Sequence, residues 1–105
     1  MTYNQILGNM ASNILKNFAN ENTFSSLIQS NLIYDIENLQ YVVKIYGTST
    51  KNNKFTLTLS VNVHTGQFEA TFNSNSRNKQ LTSFDSWNLE NYAMVWVYGF
   101  IGNNV

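Results

Sequence analysis

The 105-residue chain has no cysteine and no proline, and only 11% of it is charged. The first absence excludes disulfide staples and thiolate metal sites, and leaves the redox compartment open. The second, set beside many asparagines, fits translation from an AT-rich genome such as that of a phage or a low-GC bacterium. The scarcity of charge leaves solubility to neutral Asn, Ser and Thr side chains. Six Lys and Arg balance six Asp and Glu, so counterion release has little to act on and a nucleic-acid partner is not expected. Long apolar runs are missing too. The longest, Ala93 to Tyr98, falls far short of the roughly 18 residues that a membrane span needs. The N-terminal stretch has neither a basic n-region nor a continuous apolar h-region, so the chain reads as cytoplasmic, in the host bacterium if phage-encoded. No glycine-rich phosphate loop, nucleophile elbow or metal-binding helix motif occurs, and no cofactor is expected.

What the chain does have is alternation. Phe55 to His64 alternates apolar and polar side chains without a break, and Gln67 to Asn73 resumes the pattern after Thr65-Gly66. This predicts two antiparallel strands joined by a two-residue hairpin. Their inner face is Phe55, Leu57, Leu59, Val61, Val63, Phe68, Ala70 and Phe72. Leu39 to Tyr46 alternates in the same way and supplies a third strand, across a polar loop from Thr48 to Lys54. Asn31 to Glu37 reads as a short edge strand that would make a fourth.

Tyr3, Ile6, Leu7, Met10, Ala11, Ile14, Leu15 and Phe18 repeat at helical spacing behind Thr2, a candidate N-cap. Phe24, Leu27 and Ile28 suggest a short second helix, and Ser74 to Leu81 a solvated loop. From Trp87 to Ile101 a long helix is expected, capped by Ser83 or Asp85, with a strand through Val95-Trp96-Val97-Tyr98 as the alternative. The expected architecture is α+β: an antiparallel meander of three strands, or four with the edge, and both terminal helices packed on one face.

Candidate chemistry is sparse. His64, the only histidine, lies at the end of a strand with no Cys or His beside it, and reads as a turn residue. Asp35 with Glu37, and Asp85 with Glu90, lack the arrangement of a catalytic carboxylate pair; the second pair reads as dipole-matching acids in a first helical turn. A non-enzymatic protein is therefore expected. Two surfaces are candidates for partner binding. Thr56, Thr58, Ser60 and Asn62, beside Glu69, Thr71 and Asn73, form a hydroxyl and amide ladder of low charge on the outer strand face that is cheap to desolvate. Met94, Val95 and Tyr98 make the last helix apolar on its second side, where a protein partner or a homodimer could close on it. A small-ligand pocket lined by Tyr34, Tyr92 and Trp96 is a third class.

The order helix, three antiparallel strands, helix resembles that of double-stranded RNA-binding domains, whose second helix starts with a lysine cluster. Ser83 to Trp87 has no lysine here and carries Asp85, which removes the phosphate-binding implication. The hairpin Asn62 to Phe68 resembles the strand-Thr-Gly-strand pattern of PepSY-type domains, some of them inhibitory parts of protease propeptides. A small, cysteine-free, weakly charged chain without catalytic residues is also the kind of protein that phages and mobile elements encode against host enzymes or defence systems, anti-CRISPR proteins among them.

Overall fold

The computed structural model describes residues 1–103. The elements run α1 (Tyr3–Phe18), β1 (Phe24–Gln29), β2 (Ile33–Asp35), β3 (Gln40–Ser49), β4 (Lys54–Asn62), β5 (Phe68–Ser74), β6 (Asn78–Ser83) and α2 (Ser86–Asn103). The α+β class holds, but the sheet has six antiparallel strands where three or four were expected. Its order is β1-β3-β4-β5-β6, with β2 also paired to β3. Six strands between two helices take the chain away from the double-stranded RNA-binding order.

The central strands follow the alternation. Val43, Leu59 and Ala70 are cross-strand neighbours, as are Ile45, Leu57 and Phe72, and all six are buried. Both helices cover this face, α1 over β1, β3 and β4 and α2 over β5 and β6. Helix α1 starts at Thr2 with a full capping box, Thr2 and Gln5 exchanging side-chain to backbone hydrogen bonds. Leu7, Met10, Ala11, Ile14 and Phe18 go into the core.

Three expectations need correction. Phe24 to Gln29 is a strand, not a helix. Its register against β3 slips between Phe24 and Ser26, a bulge that puts Phe24 and Leu27 on one face and so imitates helical spacing. The polar stretch expected as a loop contains β6, which pairs with β5 through its backbone and sends Leu81 inward opposite Ala70. The β4–β5 connection takes five residues, 63–67, and not two. Asn62 Oδ1 accepts from the backbone N–H of His64 and of Thr65, and Gly66 closes the turn at a φ of 74°. His64 therefore stands in the turn beyond the strand.

The loop expected at Thr48–Lys54 shrinks to residues 50–53, and the expected edge strand exists as Ile33–Asp35. The C-terminal element is a helix throughout its described length, so the strand alternative falls away. Asp85 caps it, Oδ1 accepting from the N–H of Trp87 and Asn88. Glu90 lies beyond the first turn and accepts from Asn13 Nδ2 at 3.2 Å, tying α2 to α1.

Candidate functional site

The sheet's second face carries no helix. Strand pairing assembles it row by row, with Tyr46, Thr56 and Asn73 in one row, Lys44, Thr58 and Thr71 in the next, then Val42, Ser60 and Glu69, then Gln40 and Asn62. The ladder Thr56, Thr58, Ser60, Asn62 and Thr71 is thus contiguous. Its side chains are short and shielded by their neighbours: Ser60 is buried and the rest are half-buried. Glu69, one acid on this face, accepts from Thr71 Oγ1 at 3.2 Å and Gln80 Nε2 at 3.0 Å.

An apolar rim borders the ladder along the β1–β2 edge. Ile28 pairs across from Tyr46 and Ile33 from Val42, so all four point to the helix-free side. Ile36, in the β2–β3 turn, is 75% exposed. Ile33, Tyr34, Ile36, Val42, Lys44 and Thr58 help line a shallow cleft of about 580 Å³ that joins rim to ladder. Sequence reasoning missed this rim because Ile28 and Ile33 look like core residues until the register shows which way they face. Asp35 closes one side of the cleft. Hydrogen bonds from the Asn38 side chain and backbone, and from the Glu37 N–H, hold its carboxyl below the usual carboxylate range.

The second candidate surface lies on the opposite side of the molecule. Trp87, Val95 and Tyr98 fall along the solvent side of α2 with Tyr92 beside them, and each is more than half exposed. Met94, grouped with Val95 and Tyr98 from the sequence, is instead half-buried against the core. Tyr98 keeps one edge on Phe18, ring centroids 4.7 Å apart. Glu90 is the only charged residue of α2. The aromatic trio Tyr34, Tyr92 and Trp96 is not brought together. Tyr34 packs on Tyr41 at the β2 edge, and the other two ride on α2 over β5 and β6.

A zero net charge hides a partial segregation that only the topology reveals, with Glu21, near the β3–β4 turn, as the exception. Lys51 and Arg77 come from the β3–β4 and β5–β6 turns, and Lys54 and Lys79 from the strand ends beside them, all at one end of the sheet. Lys54 and Arg77 flank a cleft of about 410 Å³ next to Phe100 and Asn103, at the last turns of α2. Asp35 and Glu37 lie in or beside the β2–β3 turn at the other end, and Asp85 at the start of α2. Among the described residues no three His, Cys, Asp or Glu gather as a metal would require, and no helix is long and apolar enough to cross a membrane. No family model, no curated protein and no solved structure matches the chain.

Proposed function

We propose that the chain is a non-enzymatic protein-binding module that docks its partner on the helix-free face of the sheet. The observation that carries this reading is the apolar rim Ile28, Ile33, Ile36 and Tyr46 set directly against the ladder Thr56, Thr58, Ser60, Asn62 and Thr71. Protein interfaces join an apolar centre, poor in charge, to a polar margin that can still form hydrogen bonds. A wet sheet face with no other role would carry Lys and Glu where this one carries isoleucine and tyrosine. Short hydroxyl side chains also lose little rotamer entropy when covered. The composition that suits an AT-rich phage or mobile element supports the finer reading of an inhibitor of a host protein or defence system, of the anti-CRISPR kind, acting in the bacterial cytoplasm.

Affinity capture from lysate of the source's host tests the proposal. A partner should be retained by the parent chain and by Val95→Arg, and lost by Thr58→Arg and Ile33→Arg. Retention by both sheet-face variants, or no capture at all, overturns it.

A further inference from the structure

The outward face of α2 needs a different occupant, and we infer that it is a second copy of this chain, packed α2 against α2 and antiparallel. Three observations converge on that partner.

The first is area. Trp87 is 68% exposed and Val95 62%, and Phe84, Tyr92 and Tyr98 are likewise mostly uncovered. Four aromatics of about 150–250 Å² each, together with Val95, leave roughly 500–700 Å² of largely apolar side chain facing water. A standard interface covers about 800 Å² on each partner. Asn88, Asn91 and Gly102 on the same side of the helix make up the difference.

The second is self-complementarity. In an isologous contact every group meets its own symmetry mate or a neighbour of it, so like charges on the face would repel across the axis. The solvent side of α2 has none, because Glu90 turns aside to Asn13. A two-fold axis at the level of residue 93 sets Asn91 against Val95, Trp87 against Tyr98 and Asn88 against Gly99 of the second copy.

The third is charge. Helix α2 begins at the acidic end of the molecule, capped by Asp85. It ends at the basic one, where Arg77 Nη1 lies 3.5 Å from the position a Cβ on Gly99 would take and Lys54 lines the adjoining cleft. Antiparallel packing brings the Arg77 end of each copy to the Asp85 end of the other and opposes the two helix dipoles. Parallel packing would stack like ends on like. The inference is independent of the sheet-face reading, since the two surfaces lie on opposite sides of the molecule.

Sedimentation velocity and light scattering at on the order of 10 μM protein should give twice the 12.0 kDa of one chain. Val95→Arg and Trp87→Lys, both at exposed positions, should halve that mass, while Thr58→Arg should leave it unchanged. Because the chain has no cysteine, orientation can be read by oxidising an equimolar mixture of Asn91→Cys and Val95→Cys. The mixed disulfide should exceed either homodimeric one by well more than the twofold that random pairing gives. A monomeric parent chain, a dimer that survives both charge variants, or a mixed disulfide no more than twice either homodimeric one each overturns the inference.

Discussion

Substituting Gly47 by alanine tests the core at its tightest point. Gly47 sits on β3 directly across from Phe55 on β4, and one edge of the Phe55 ring fills the space beside it. A Cβ at position 47 would overlap that ring, falling within 2.6 Å of Cζ and 2.8 Å of Cδ1. The ring has nowhere to retreat. It is stacked on Phe72 at 5.2 Å and wedged by Phe24 and Phe100, at 5.8 and 5.0 Å. Overpacking of this kind costs about 1–3 kcal/mol. For a domain of this size each kcal/mol lowers Tm by about 4–8 °C, so Gly47→Ala should melt roughly 4–24 °C below the parent. Thermal and urea unfolding followed by circular dichroism measure this. Phe55→Leu removes the overlapping ring atoms, so the double variant Gly47→Ala/Phe55→Leu should be more stable than the two single costs predict, by about 0.5–3 kcal/mol. A Gly47→Ala chain that melts with the parent, or costs that simply add, would refute the argument.

Other predictions concern charge. Leu59→Asp places a carboxylate at a position with no exposure and no partner, and should leave the chain unfolded by circular dichroism and by its near-ultraviolet spectrum. Asp35 has a folded-state pKa held below its unfolded one, so its stabilisation is present above the ordinary carboxylate pKa and is lost as pH falls through the lowered value. Carboxyl NMR should show it titrating below an ordinary aspartate carboxyl, and Asn38→Ala should move that midpoint upward. Duplex DNA or RNA should show no binding by fluorescence anisotropy at physiological salt; four clustered cations give a salt slope of about −3 to −4, so any low-salt affinity should vanish there.

What was legible in the sequence was whatever rests on an unbroken period. Phe55 to Asn62 and the stripe Leu7, Met10, Ile14, Phe18 each keep one spacing from end to end, and both elements formed where the spacing put them. Phe24 and Leu27 were misleading because a bulge adds one residue to a period of two, giving the three-residue step of a helix. Strand β6 was invisible for another reason. A strand held at the sheet edge by backbone bonds and one inward leucine has almost no hydrophobic pattern to read. Of the candidate surfaces, the ladder followed from alternation alone. The isoleucine rim and the separation of charge depended on long-range register, which no local window contains.

The break between β1 and β2 has a consequence for how this chain behaves when crowded. At Ser30 the edge departs from regular pairing: the Ser30 N–H still donates to the Lys44 carbonyl, but the Lys44 N–H donates to Ser30 Oγ, a side chain standing in for backbone. The outer border of the sheet is thus cut into pieces of six and three residues, with neither pattern continuing into the other. A neighbouring chain looking for a template finds no long row of unpaired amides and carbonyls there. The opposite border, β6, is itself only six residues long and carries Asn78, Lys79 and Gln80 at its start. With so few charges to keep molecules apart, these interrupted and polar borders work against edge-to-edge zipping into fibrils.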